Sequence, residues 1–233
     1  MNQFFLTMKI TYLGHSSFHI ETQGVNIILD PFISPNPLAK DIDIAKIKAD
    51  YILLSHGHED HIYDVEAIVS NNLEAIVVAN YEIVSYFGKK GIPGHPMNTG
   101  GTKEFPFGSV RMENALHSSS FPDGSYAGCP AGFTLRIEDK TLYYAGDTDV
   151  FGDMKMIGER NPIDLAFLPI GDNFTMGIDG ALQAADLLGV DKFVGMHFDT
   201  FPPIAVDAEK TAGAALKAQK ELLLLGVGHS LNL

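Results

Sequence analysis

The first third of the chain alternates short apolar runs with turn residues. Residues 8–13, 17–21 and 25–29 are rich in β-formers and separated by turns carrying Gly14 and Gly24, which predicts three short strands. Residues 51–54 form an apolar run bounded by Asp50 and Ser55, the pattern of a buried strand. A helix is predicted over 62–70, a strand over 75–78 and a helix over 81–89, with 92–108 read as loop from its Gly and Pro content. The pattern then restarts. Strands are predicted at 110–115, 132–137 and 141–145, a helix at 150–160 and a buried strand at 165–168. A helix over 178–188 follows from apolar residues at 178, 181, 182, 185 and 188, one helical face. A strand at 193–196, a helix at 207–220 and a last strand at 222–225 complete the reading. Each half runs strands first, then βα alternation, with no linker between. The economical architecture is a single domain over 1–233 of class α/β (α+β), two sheets with outer helices.

Composition narrows what this frame can do. With 233 residues, 45% of them hydrophobic, the chain can bury a sizeable core. Its 16 basic and 29 acidic residues give a net charge of −13, and no Lys/Arg-rich patch is present. Nucleic acid is therefore not an expected partner, although divalent cations could hold a phosphate locally. Cys129 is the single cysteine, which excludes an internal disulfide and fits a reducing, cytoplasmic setting. Residues 1–9 lack the basic and apolar regions of a signal peptide, and no run reaches the ~18 apolar residues of a membrane span. Phe4, Phe5 and Leu6 could pack on a second copy of the chain, or form a tail ahead of a start at Met8.

The densest chemistry follows the 51–54 strand. Ser55, His56, Gly57, His58, Glu59, Asp60 and His61 spell H-x-H-x-D-H: three imidazoles and a carboxylate within six residues. These are ligand types for Zn²⁺ and other first-row metals. An extended turn can aim His56 and His58 at one ion, while Asp60 and His61, where a helix begins, face a second; Gly57 lets the backbone bend between them. A chance match is expected in roughly one such chain per thousand. The competing account is a polar loop of satisfied histidines.

H-x-H-x-D-H after a buried strand resembles the signature of the metallo-β-lactamase superfamily, in which a His, an Asp and a last His follow in that order. This chain offers His117 after the 110–116 run, Asp147 within Gly146-Asp147-Thr148, and His197 after the 193–196 strand. Further motifs, Gly14-His15-Ser16-Ser17-Phe18, Leu29-Asp30-Pro31-Phe32 and residues 196–202, are similar to those of a branch of small bacterial and archaeal metal-dependent hydrolases akin to the ascorbate-6-phosphate lactonases. The resemblance spans nearly the whole chain and implies an αββα sandwich with its site at one edge between the sheets.

The same resemblance implies site roles. His56, His58 and His117 would hold one divalent ion, Asp60, His61 and His197 a second, and Asp147 would bridge them. The ions would be Zn, with Mn, Fe or Ni as alternatives, and a bridging hydroxide would attack an ester-like bond of a small lactone or phosphorylated carbonyl compound. Asp60 and His15 are the catalytic candidates; His15 could contact substrate or shuttle a proton, or be a satisfied structural histidine. Asp30 would brace the metal loop, against a plain turn role before Pro31. Asp172, Asn173 and Thr175 could position substrate or serve turn and capping duty, and Thr200 could orient His197. His19, His95 and His229 match no ligand position, and Cys129 reads as a passive small residue. The alternative functions are a phosphodiesterase of small substrates, an iron-dependent oxidoreductase on the same fold, and a non-catalytic metal-binding scaffold.

Overall fold

The computed structural model describes residues 8–233. Phe4, Phe5 and Leu6, with the packing or tail read for them, lie outside the described residues. The elements in chain order are β1 (Lys9–Gly14), β2 (Ser17–Thr22), β3 (Val25–Leu29), β4 (Tyr51–Leu53), α1 (Glu59–Ile62), α2 (Val65–Asn71), β5 (Ile76–Asn80), α3 (Tyr81–Gly88), β6 (Gly94–Met97), β7 (Thr102–Phe105), β8 (Gly108–Asn114), β9 (Ala131–Ile137), β10 (Lys140–Tyr144), α4 (Met154–Arg160), β11 (Leu165–Pro169), α5 (Ile178–Leu188), β12 (Lys192–Met196), α6 (Ala208–Lys217), β13 (Glu221–Leu223) and β14 (Ser230–Asn232).

They build two seven-stranded mixed sheets, ordered β14-β1-β2-β3-β4-β5-β6 and β13-β12-β11-β10-β9-β8-β7. In the first sheet β14 to β3 pair antiparallel and β3 to β6 parallel. In the second, β7 to β10 pair antiparallel and β10 to β13 parallel. The two halves thus repeat one plan.

Side-chain alternation assigns the two faces of the first sheet. Ile27, Leu29, Leu53 and Val78 face the second sheet and join its Phe133, Leu142 and Phe167 in one buried cluster. Their neighbours Ile28, Ile52, Leu54 and Val77 point the other way, onto Val65 and Ile68 of α2 and Ile83 and Phe87 of α3. On the second sheet, α4 and α5 extend the inter-sheet cluster through Met154, Ile157, Ala181 and Leu188. The central parallel strands are covered on both faces, which is why β11 is buried at every position. The layering is the expected αββα sandwich of two mixed sheets with outer helices.

Departures from the sequence reading have physical causes. The 92–108 segment contains β6 and β7 rather than loop alone. Both lie at sheet edges, where a strand needs hydrogen bonds on one side only and tolerates Pro96. β14 is likewise a short edge strand, paired only with β1. The 62–70 helix is two pieces, α1 and α2, because Asp64 turns inward to accept the backbone N–H groups of Ile33 (2.5 Å) and Ser34 (2.9 Å). The 150–160 helix begins only at Met154, leaving 148–153 as loop. Among the described residues no helix is long and apolar enough to cross a membrane.

Phe167 is fully buried between the sheets, its ring 4.7 Å from Phe18 and 6.3 Å from Tyr144. Phe167→Ala is expected to lower stability by about 3–5 kcal/mol. Urea unfolding followed by far-UV circular dichroism measures this as a lower midpoint at unchanged slope.

Candidate metal centre

Every expected ligand sits just beyond the end of a strand or in the short helix that follows one, on the same edge of the sandwich. His56 and His58 follow β4, Asp60 and His61 lie in α1, His117 follows β8, Asp147 follows β10 and His197 follows β12. Donor atoms of His56, His58 and His117 lie within 4.8 Å of one another, as do those of His15, Asp60, His61 and His197. Asp147 stands between the two groups. Its Oδ2 lies 3.0 Å from His197 Nε2, 3.3 Å from His61 Nε2 and 3.6 Å from His117 Nε2.

Hydrogen bonds behind these groups decide which ring nitrogens face the centre. The fully buried Asp30 accepts at Oδ1 from the Ser55 N–H (2.7 Å) and at Oδ2 from Ser55 Oγ (2.5 Å), Tyr144 OH (2.7 Å) and His61 Nδ1 (2.8 Å). A carboxylate only accepts, so His61 carries its proton on Nδ1 and leaves Nε2 toward the site. Ser55 Oγ, having donated to Asp30, accepts from His56 Nδ1 at 2.9 Å, which leaves His56 Nε2 unprotonated and facing His58 Nδ1 at 3.0 Å. One anion therefore orients two candidate ligands, the bracing role expected for Asp30.

His15 also has both nitrogens engaged. Nε2 lies 3.1 Å from Asp60 Oδ2 and Nδ1 lies 3.0 Å from Thr200 Oγ1. Facing a carboxylate, Nε2 is the donor, and the Thr200 hydroxyl donates to Nδ1. The ring is fully buried and forms no part of the cavity wall, so it reaches Asp60 rather than substrate. Thr200, expected to orient His197, holds His15 instead.

Two glycines permit these close approaches. A Cβ on Gly57 would overlap the Ala127 side chain, and Gly146, at φ +63°, lies with its Cβ position 2.9 Å from Ser55. Asn80 caps α3 through Ile83 N–H and donates to the carbonyls of Ala127 and Cys129 (2.8 and 3.0 Å), tying the segment after His117 to the first sheet. Sequence reasoning missed this residue.

Electrostatics fit a cation site. Burial, then neighbouring His61, holds His56 well below the usual imidazole range; burial likewise lowers His58 and His117. Burial lowers His15 to about 4, with His197 adding to the effect. These rings stay neutral, the form that ligates. Burial opposes charge on His61, but Asp147 and Asp60 outweigh it and hold its pKa well above the usual range. Burial also opposes charge on Asp147 and Asp60, yet His197 and His61 keep Asp147 far below the carboxylate range, and His61 and His15 do the same for Asp60. His61 Nε2, Asp147 Oδ1 and His197 Nδ1 are buried without a hydrogen-bond partner. Such groups are costly when left unpaired. Unpartnered atoms, neutral imidazoles and two persistent carboxylates together fit divalent cations.

The remaining candidates lie outside the ligand cluster. Asp172 Oδ1 accepts the next residue's own N–H, from Asn173, and Thr175 Oγ1 bonds only Met176 O; both close their loop on itself. His19 bonds Asn26, His95 packs against Phe105, and His229 is exposed. Cys129 is exposed, its Sγ 3.8 Å from Tyr126 OH. The cavity over the ligands, about 420 Å³, has a wall that sequence reasoning did not identify: Phe174, Phe201 and Pro203, with Ser118.

Comparison with known proteins agrees with this geometry. Residues 25–198 match the family model described as the beta-lactamase superfamily domain, and the chain belongs to that family. A "UPF0173 metal-dependent hydrolase" of Flavobacterium johnsoniae is 51% identical over 97% of this chain and 100% of its own length. The similarly named YtkL of Bacillus subtilis is 50% identical over 88% of this chain and 92% of its own. Among solved structures, Igni18, a metallo hydrolase from the archaeon Ignicoccus hospitalis, superposes with a TM-score of 0.87 at 35% identity, covering 97% of this chain and 98% of that one.

Asp30→Asn would place an amide donor against Ser55, His61 and Tyr144. It is expected to weaken metal affinity by about 10- to 100-fold. Competition with a chromophoric chelator measures this; wild-type affinity in the variant would show that Asp30 does not orient the ligands.

Proposed function

We propose that this metal-dependent hydrolase of the beta-lactamase superfamily cleaves an ester-like bond in a small molecule, a lactone being the simplest case, at a two-ion centre. His56, His58 and His117 would hold one ion and Asp60, His61 and His197 the other, with Asp147 shared. The observation that carries this reading is Asp147 Oδ2, within 3.0–3.6 Å of histidines from both groups. An anion in that position offsets repulsion between two cations ~3.5–4 Å apart. The donors are nitrogen and oxygen, and Cys129 lies outside the cluster. Zinc is the ion that best suits such a set, with Mn, Fe and Ni also compatible.

Bound ions would supply Lewis acidity toward the carbonyl and bring the pKa of a water to about 7. The chain's own side chains would hold and aim the rest. His15 fixes Asp60 by donating to Oδ2, which leaves Oδ1 for an ion or for a proton of the attacking water. His15 is in turn fixed by Thr200. Asp147 stays ionised and the His56 imidazole neutral near neutral pH, the forms that ligate, whereas His61, its pKa held high by Asp147 and Asp60, would give up its proton to a bound ion. The substrate would be a small molecule rather than nucleic acid, given the net charge of −13. The lone cysteine supports a cytoplasmic setting.

Metal content of untagged protein purified without chelators, measured by mass spectrometry, tests the centre. About two ions per chain are expected, falling in Asp147→Ala. Chelation should abolish lactone hydrolysis and Zn or Mn should restore it. Predominant iron with an oxidase-like absorption and no hydrolysis would instead support the iron oxidoreductase. No stoichiometric metal after reconstitution would sink the two-ion reading.

A further inference from the structure

The cavity over the metal centre has an unusual lining. Apart from five ligand candidates (His58, Asp60, His117, Asp147 and His197), it is lined by Phe174, Phe201, Pro203 and Ser118. Ser118 Oγ already lies 3.3 Å from His58 Nε2, so the wall away from the ligands is apolar. Phe174 is 54% exposed in the loop between β11 and α5, and its side chain borders the cavity.

Charge points the same way. The chain carries 16 Lys and Arg, and none falls within 54–64, 115–130, 145–154, 169–178 or 195–207, the segments that carry the ligands and the cavity wall. The same segments hold Glu59, Asp64, Asp123, Asp149, Asp153, Asp172, Asp199 and Asp207 besides the ligand carboxylates. A phosphate on the substrate beyond reach of the ions would find no cation and no Arg fork to bind it, inside an acidic surround.

We propose that the part of the substrate remote from the scissile bond is uncharged and apolar, an alkyl or aryl substituent seated between Phe174, Phe201 and Pro203. The proposal rests on the hydrolytic reading above and narrows it: carbonyl compounds that carry a phosphate on this remote part are excluded as substrates. In the reaction, the water oxygen forms a bond to the acyl carbon, the acyl carbon–alkoxy oxygen bond breaks, and the leaving oxygen takes a proton. The product is a hydroxy acid that retains the apolar substituent. At this site Phe174, Phe201 and Pro203 determine specificity and take no part in bond making.

Two series on the metal-reconstituted full chain separate the claims. Hydrolysis is followed for γ-butyrolactones with straight γ-alkyl chains of increasing length, beside lactones whose chain ends in phosphate or ammonium. Binding is followed by calorimetry with straight-chain alkanoates from acetate to octanoate, beside 8-phosphono- and 8-amino-octanoate; the carboxylate is the end that meets the ions. Each methylene should raise kcat/KM and affinity by about three- to fourfold until the cavity fills, and both charged tails should bind more weakly than octanoate. Phe174→Ala should flatten the chain-length dependence, and Phe174→Lys should turn preference toward the phosphono tail. A chain-length dependence absent in wild type, or a charged tail preferred over the methyl end, overturns the proposal. If alkanoate binding climbs with length but no lactone is cleaved, the hydrolytic reading falls and the apolar cavity stands. If the phosphate-bearing lactone is cleaved best, the hydrolase stands and the apolar assignment falls.

Discussion

The buried carboxylate of Asp30 is the constraint on which the site depends. It accepts from Ser55 twice, from His61 and from Tyr144, so one residue touches the metal loop, α1 and the second sheet together. A charge placed this deep is tolerated only with its lone pairs used, and here they are used by the elements that must be aligned. Its own carbonyl accepts from Ser17 Oγ, which also receives Phe32 N–H, so the β1–β2 turn is registered to the same point. Removing any one of these donors would leave the others aligned to a displaced anion.

Backbone strain concentrates on the same edge. Among the described residues nine non-glycine positions have positive φ; His15, Asp30 and His197 belong to the centre, and Asp172, Asn173 and Asp199 to the loops beside it. Such conformations cost on the order of 1–3 kcal/mol each and persist where surrounding contacts leave no alternative. Those contacts are visible. His197 N–H donates to His15 C=O at 2.8 Å, joining the first sheet's turn to the end of β12, and Asp199 N–H donates to Ile204 C=O. The two sheets are thereby locked where the ligands converge, while strands farther along the sandwich need only pack.

What the sequence revealed follows from how local the information is. His56, His58, Asp60 and His61 are legible because four residues of ligand type within six positions have few other uses. His117, Asp147 and His197 are single residues whose convergence depends on strand order, and they were reached through resemblance. Thr200 is three residues from His197 in sequence, yet it bonds His15, 185 residues away; a loop that reverses direction hides that pairing. Asn80 and the Phe174–Phe201–Pro203 wall were invisible for the same reason, since polar and apolar residues in loops carry no period. β6, β7 and β14 were missed because edge strands are half-bonded and can be polar or contain proline.

Net charge and the metal centre belong together. A chain of −13 repels anions at a distance, but at physiological salt that field fades within ~8 Å of the surface. Discrimination must therefore come from the few groups inside the cavity. Two ions would add +4 locally against Asp60 and Asp147, enough to attract and hold one anionic or polarised group at the centre. Beyond that group, aromatic rings and a proline offer dispersion and dehydration but no counter-charge. Under the proposed reading, the site would recognise two unlike halves of a molecule: a polar head for the ions to grip, and an apolar remainder that leaves water for Phe174 and Phe201. The first half is fixed by ligands buried in the sandwich edge. The second is set by loop residues that can vary without disturbing Asp30, which allows one metal centre to be matched to different substituents.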